Sequence, residues 1–322
     1  LKNDYNDYSY SNIDRSILSK LKKGKLLINK TLDLHGLSQK EAYNKLLFFI
    51  ESSYNICVTH GNGPQVGDAL YRMDLTREQI PPLSLGICVA GTQGQIGYMI
   101  QQSLQNKLRE MDIDREVVTM VTQVIVSRND ESLKNPTKYI GPRYSKDEIL
   151  KMSENFNWNI KEQEPGFWRR VVPSPMPKYI MHGKSIKALV DRGTIVIAFG
   201  GGGIPVFNTE ENRIQGLDAV IDKDFSAAKM GRIIRAEELW IISDIKYLYR
   251  NFGEKNQVPI KEISFEDIKK LYNENIFQEG TVKPKVRAAI HFLKHHGKKV
   301  VITSINNIEK SINEKSGTII RK

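Results

Sequence analysis

His60-Gly61-Asn62-Gly63-Pro64-Gln65-Val66-Gly67 follows the short apolar run Ile56-Cys57-Val58-Thr59. The run reads as a buried strand of a parallel sheet. Three glycines and a proline among the next eight residues can continue neither a strand nor a helix interior. The segment is therefore a tight loop at a strand's carboxyl end, where open α/β sheets bind ligands. Glycines there let backbone N–H groups approach an anion. A second stretch, Gly200-Gly201-Gly202-Gly203-Ile204-Pro205, ends the apolar run Ile195–Phe199 in the same way. Each glycine costs about 0.5–1 kcal/mol against alanine, which a chain tolerates where its backbone must come close to something.

Around the two loops, strand-like and helix-like stretches alternate. Residues 1–24 are polar and read as irregular. Thr31-Leu32-Asp33-Leu34-His35-Gly36 alternates like a short strand, and Ser38 caps a helix with Ala42, Leu46, Phe49 and Ile50 on one face. Thr92-Gln93-Gly94 opens a second helix, in which Ile96, Ile100 and Leu104 share a face. Residues 117–126 read as one strand. From Asn129 to about Pro177, prolines at 136, 142, 165, 173, 175 and 177 break the pattern and predict a loop-rich insertion with short strands. Alternation then resumes: strand 195–199, a helix from 224, strand 239–242, helix 284–296 and strand 299–303. Such a sequence predicts a mainly parallel sheet with helices on both faces.

Composition narrows the class. The chain has 322 residues, 40% hydrophobic and 26% charged, as in an ordinary globular protein. No apolar run approaches the roughly 20 residues that span a bilayer, so no membrane partner is expected. The first residues, Leu1-Lys2-Asn3-Asp4-Tyr5, are polar and unlike a signal peptide; with no Met at position 1, the natural start is expected upstream or removed. Cys57 and Cys88 read as reduced core residues of a cytoplasmic protein. No Cys/His cluster has zinc-ligand spacing, so no chain-held metal is expected. The net charge of +11 permits a nucleic-acid partner, but no arginine-rich block with interleaved aromatics is present. A solvated lysine surface and a site for polyanionic substrates account for the charge without one.

Three further segments carry chemistry. In Asp222-Lys223-Asp224, Asp224 can cap the following helix while Lys223 sets a cation beside its N-terminus; the segment suits an anion site, and equally a surface charge cluster. In Thr281-Val282-Lys283-Pro284-Lys285-Val286, Pro284 suits a helix start and Lys285 falls in the first turn, where a cation opposes the helix dipole. Ser243-Asp244, ahead of Tyr247 and Tyr249, suits ribose and adenine contacts or an ordinary turn.

Taken in order, these segments resemble the motif series of the carbamate kinases, in the amino-acid kinase superfamily. The stretches that carry the resemblance are His60–Gly67, Thr92-Gln93-Gly94-Gln95-Ile96-Gly97-Tyr98-Met99-Ile100-Gln101-Gln102, Asn135-Pro136-Thr137-Lys138, Val171-Val172-Pro173-Ser174-Pro175, Gly200–Pro205, Ala219-Val220-Ile221-Asp222-Lys223-Asp224 and Pro284-Lys285-Val286. The resemblance runs from about Asn55 to Arg321. It implies an α/β fold with an open, mainly parallel eight-stranded sheet, helices on both faces, a small protruding subdomain near 129–177, and a homodimer. It implies an N-terminal lobe, 25–205, for carbamate and carbamoyl phosphate, and a C-terminal lobe, 206–322, for ATP or ADP with Mg²⁺. The reaction implied is reversible phosphoryl transfer between ATP and carbamate, running toward ATP in arginine fermentation.

By motif, Lys223 and Lys285 would hold the phosphoryl group, Asp224 would orient them, and Lys138 would reach in from the subdomain. Gly61, Asn62, Gly63 and Gly200, Gly201, Gly202, Gly203 would bind phosphate or substrate, and Ser243, Asp244 and Tyr249 the nucleotide. The pattern breaks at the start. The family's first strand ends in Gly-Gly-Asn-Ala, which this sequence lacks; Thr31–Ala42 stands there instead and resembles the opening of Smr-type domains over about 31–53. The expectation is that Thr31–Gly36 takes the first strand's slot, leaving nucleotide binding largely kept and turnover reduced. Two smaller departures are Gly91, where the family usually has a larger residue, and Lys283, where it has glycine; Lys283 is expected to add a cation beside Lys285.

Overall fold

The computed structural model describes residues 25–30, 47–50, 54–278 and 281–322. Eight strands form the main sheet: β1 (Lys25–Lys30), β2 (Asn55–His60), β3 (Val117–Met120), β4 (Ile195–Ala198), β5 (Glu238–Ser243), β6 (Glu262–Ser264), β7 (Lys299–Ser304) and β8 (Thr318–Arg321). Their order is β6-β8-β7-β5-β1-β2-β4-β3. Neighbours are parallel throughout except β7 with β8.

The apolar runs of the sequence are continuous because both faces of this sheet are covered. Successive side chains point to opposite faces. Cys57, Val196, Leu239, Ile241, Val300 and Ile302 therefore enter one core. Ile56, Val58, Ile195, Ile197, Trp240, Ile242 and Val301 enter the other. The first core is closed by α4 (Gly183–Asp191), α5 (Lys223–Ile234), α6 (Phe265–Asn273) and α7 (Lys283–Lys294). In the second, α2 (Leu85–Glu110) contributes Ile96, Ile100 and Leu104. Two short helices, Leu47–Ile50 and Ile308–Ile312, also feed the second core, and α1 (Gly63–Thr76) and α3 (Lys146–Phe156) complete the α-helices of the described residues. No helix among the described residues is long and apolar enough to cross a membrane.

The structure corrects four expectations. The slot between β2 and β5 belongs to Lys25–Lys30, which pairs in parallel with both, Lys30 level with His60. Leu26-Leu27-Ile28 is a continuous apolar run, the pattern of a central strand in a parallel sheet, whereas Thr31–Gly36 alternates. Residues 1–24, Thr31–Gly36, the Ser38 cap and most of the Smr-like stretch lie outside the described residues. Second, α2 begins at Leu85 under a Ser84 cap rather than at Thr92. Its glycines mislead locally, but Gly97 is needed for packing: a Cβ there would meet Thr119 Cγ2 at 2.3 Å. Third, residues 117–126 are two strands, Val117–Met120 in the main sheet and Gln123–Ile125 in a four-stranded one. Gln93 makes the break, its Oε1 accepting from the Thr122 N–H at 2.8 Å.

Fourth, the proline-broken insertion is more regular than its prolines suggest. Strands Lys138–Tyr144, Ile160–Glu164 and Phe167–Val172 form an antiparallel sheet, with α3 held by a Ser145/Glu148 capping box. This subdomain sits hard against α1. A Cβ at Gly67 would lie 2.0 Å from Gly141 Cα. Asp74 of α1 accepts from Trp158 Nε1 (2.8 Å) and Arg170 Nη1 (3.0 Å).

Candidate active site

The parallel strands β2, β4 and β5 end on one side of the sheet, and the two glycine loops meet there. His60 ends β2, and its C=O accepts the Gly201 N–H at 2.9 Å. Asn62 completes the tie: its Nδ2 donates to Gly200 C=O (2.9 Å) and to Thr92 Oγ1 (3.0 Å). The second loop needs its glycines. Gly200, Gly201 and Gly203 have φ of +147°, +66° and +101°, and a Cβ on Gly202 would meet Ile221 backbone at 2.5 Å. Ser226 Oγ then holds Gly202 C=O at 2.8 Å.

Three charges are gathered beside these loops. Asp224 is 4% exposed, and its two carboxylate oxygens each receive a lysine: Oδ1 from Lys223 Nζ and Oδ2 from Lys285 Nζ, both at 3.2 Å. The lysines come from the first turns of α5 and α7, which pack side by side. Lys223 also runs past Gly61, where a Cβ would lie 3.7 Å from its Cδ. Neither α1 nor α7 has a side-chain cap; in α7 the Lys283 N–H donates instead to Gln278 C=O at 3.0 Å, and Pro284 has no N–H to offer.

Burial and mutual charge set the ionisation. Burial pushes Lys223 down and the Lys285 charge adds to this, with Asp224 offsetting only part. Burial also acts to lower Lys285, but Asp224, helped by Asp222 and Asp244, outweighs it and raises the group. Burial alone would raise Asp224; its two lysines win and hold the carboxyl well below the usual range. Two lysines and one carboxylate thus share a largely enclosed place. Burial also drives His60 down to about 4, so its ring is neutral near pH 7. Its Nδ1 lies 2.9 Å from Gly61 C=O, and since a carbonyl only accepts, Nδ1 carries the proton.

Asp222, not Asp224, caps α5: its Oδ1 accepts the Phe225 N–H at 3.0 Å. Asp224 sits two residues on, still in the first turn, where its carboxylate faces the lysines. The other oxygen of Asp222 meets Lys138 Nζ at 3.4 Å, which brings the subdomain's lysine to the site. Lys283 does not add a cation there; its Nζ turns to Asn275 Oδ1 at 2.8 Å. Ser243 is buried at the end of β5 and Asp244 is exposed beyond it. Tyr249 stands on a separate hairpin, its ring 6.2 Å from that of Tyr247 and 5.9 Å from that of Phe252. Gly63 opens α1 with nothing within 4 Å of a would-be Cβ, so its backbone faces free space.

Sequence reasoning passed over Asp222 as the anchor of Lys138, Gln93 as the residue that ends β3, and Gln65. The carboxamide N and O of Gln65 are both buried without a partner in the first turn of α1. Only its place inside the glycine loop could have drawn attention to it.

A fully buried carboxylate holding two lysines, beside two glycine loops and two uncapped helix starts, can bind a phosphoryl group and stabilise charge as it moves. The amino acid kinase family model matches residues 27–304. Carbamate kinase of Pyrococcus horikoshii is 41% identical over 271 residues, 84% of this chain and 86% of that one. Carbamate kinase of Lentilactobacillus hilgardii is 39% identical over 305 residues, 93% of this chain and 95% of its own. Carbamate kinase from Giardia lamblia superposes with a TM-score of 0.86 when bound to citric acid and 0.83 when bound to AMP-PNP, at 31% identity over 93% of this chain and 99% of that one.

Proposed function

The chain belongs to the carbamate kinases of the amino acid kinase family, and we propose how its residues divide the work of that reaction. It is a phosphotransferase that moves a phosphoryl group reversibly between ATP and carbamate. The observation that carries the division is the Asp224 carboxylate shared between Lys223 and Lys285 at 3.2 Å each.

In this reading, the two ammonium groups meet the oxygens of the phosphoryl group in flight. Asp224 fixes both lysines before substrate arrives, so little reorganisation is needed at the moment of transfer. Lys138 adds a third cation, which leaves Asp222 as the transferring group takes its place. The glycine backbones at Gly61–Gly63 and Gly200–Gly203 leave room for carbamate or carbamoyl phosphate, with the Gly201 N–H held by His60 C=O as part of the loop's own frame. Ser243, Asp244 and Tyr249, in the C-terminal lobe, face the nucleotide. Magnesium would arrive with the nucleotide phosphates and supply charge neutralisation there.

We further propose a cytoplasmic homodimer working in arginine breakdown. Its support is an apolar stripe on α2: Ile87 and Tyr98 are exposed, and Gly91 between them has open space around it. A helix from a second copy could approach closely there. The two buried free cysteines suit a reducing compartment.

A second reading keeps nucleotide binding and lowers turnover. It is favoured by one observation: β1 ends at Lys30, and the sequence that follows holds no Gly-Gly-Asn-Ala. A coupled assay of ATP formation from carbamoyl phosphate and ADP separates the two. Sustained turnover supports the first reading; ADP binding without turnover supports the second.

A further inference from the structure

Helices α5 and α7 carry more positive charge than the active site uses. Their sequences, Lys223–Ile234 and Lys283–Lys294, contain one carboxylate, Asp224, which the site lysines engage. Beyond the site, α5 holds Lys229 and Arg232, and α7 holds Arg287, His291 and Lys294, with His295 just after. These groups share one surface. The Phe225 ring lies between them, with Arg287 Cζ 5.2 Å, Lys229 Nζ 5.9 Å and the His291 ring 4.7 Å from its centroid. His295 stacks edge-on to His291 at 4.8 Å.

Two features separate this cluster from an ordinary solvated face. Arg287 Nε and His291 Nε2 are both buried without a hydrogen-bond partner. Such groups call for an explanation, commonly an ion or solvent molecule that satisfies part of the cluster. In addition, burial foremost, and then the basic neighbours His295, Lys229, Arg232 and Lys294, hold His291 down to about 4. The side chains gathered around the Phe225 ring are all basic, so this surface is set up to receive negative charge.

We propose that this α5–α7 face is a second anion site, separate from the active site, for a small molecule bearing a chain of phosphoryl groups. Arg287, His291 and Lys294 follow one another at i, i+4 and i+7, spanning about 10 Å of helix at 1.5 Å per residue. Lys229 and Arg232 run alongside on α5. A single phosphate would meet only part of that row. A linear polyphosphate would meet all of it, and the guanidinium fork of Arg287 suits phosphoryl oxygens.

The test is a calorimetric titration with inorganic tripolyphosphate. It is run on the parent chain, on Lys285→Ala to disable the active-site phosphate contacts, and on Arg287→Gln/Lys294→Glu. The Lys285→Ala chain should keep one tripolyphosphate site. The Arg287→Gln/Lys294→Glu chain should lose at least tenfold in affinity at that site, while its kcat and KM for carbamoyl phosphate and ADP stay near the parent's. Lys294→Glu alone, at an exposed position, should give part of the loss even if Arg287 is needed for folding. Loss of all binding in Lys285→Ala, or binding within twofold of the parent in both Lys294 variants, would overturn the proposal. So would a single-stranded oligonucleotide of equal charge that displaces tripolyphosphate at lower concentration, since the face would then suit a nucleic-acid backbone.

Discussion

Lys285 and Lys138 approach the same site under different constraints. Lys285 is 12% exposed, rises from the first turn of a core helix, and meets a buried carboxylate at 3.2 Å. Lys138 is 34% exposed, starts a strand of the protruding subdomain, and meets the half-buried Asp222 at 3.4 Å. The first is held by packing that also holds the sheet together. The second depends on how a small sheet leans on α1. The core pair is thus preorganised, whereas the subdomain lysine is placed by a contact that can open.

The most severe break in this comparison is Asp224→Ala. It leaves two buried cations without their counter-charge, which costs about 3–5 kcal/mol of stability. Turnover should fall with it, and a thermal melt beside the coupled assay reads both. Lys223→Ala or Lys285→Ala should lower kcat by about 10²–10³ with a much smaller change in melting temperature, as for loss of one transition-state donor. Near-parental rates in both would sink the assignment.

The subdomain is tested at its hinge contact. Gly67→Ala places a Cβ 2.0 Å from Gly141 Cα, so the subdomain must move and carry Lys138 with it. Displacement of order 1 Å should reduce kcat by up to about 10²-fold and leave ADP affinity near normal. Hydrogen exchange over 129–177 should slow when carbamoyl phosphate and ADP are added to the parent, and slow less in Gly67→Ala. Equal exchange with and without ligand would argue against closure.

The smallest effect is a shift of pH profile. Lys223 is depressed and Lys285 raised, so Lys223 loses its proton first as pH rises. The alkaline limb of kcat/KM should belong to Lys223 and move upward in Lys223→Arg if that variant turns over. For stability the signs differ by group. The raised Lys285 stabilises below the ordinary lysine range, and this is lost as pH rises through its folded value. The depressed Asp224 stabilises above the ordinary carboxylate range, and this is lost in strong acid.

Much of the arrangement around Asp224 is legible because its parts leave local marks. Glycine runs after apolar strands, a lysine in a first helical turn and an aspartate next to a lysine are each readable without a structure. What was misread needed distant partners. The cap of α5 could have been Asp222 or Asp224, and only the lysine of a second helix, 61 residues on, draws Asp224 inward. The break after β3 depends on Gln93, 29 residues earlier. The first strand lies six residues before Thr31, and two adjacent segments, Lys25–Lys30 and Thr31–Gly36, both have strand-like sequence patterns.

By itself, the sequence determined the parallel α/β order, the two loops that must be glycine-rich, and the lysines and aspartate that gather beside them. These follow from local backbone sterics and from the period of apolar residues. Tertiary structure decided which six residues fill the slot between β2 and β5, which aspartate caps and which bridges, and how Lys138 crosses 84 residues to Asp222. Those outcomes are competitions between near-equal local choices, and burial on both faces of a sheet, or a charge arriving from another element, settles them.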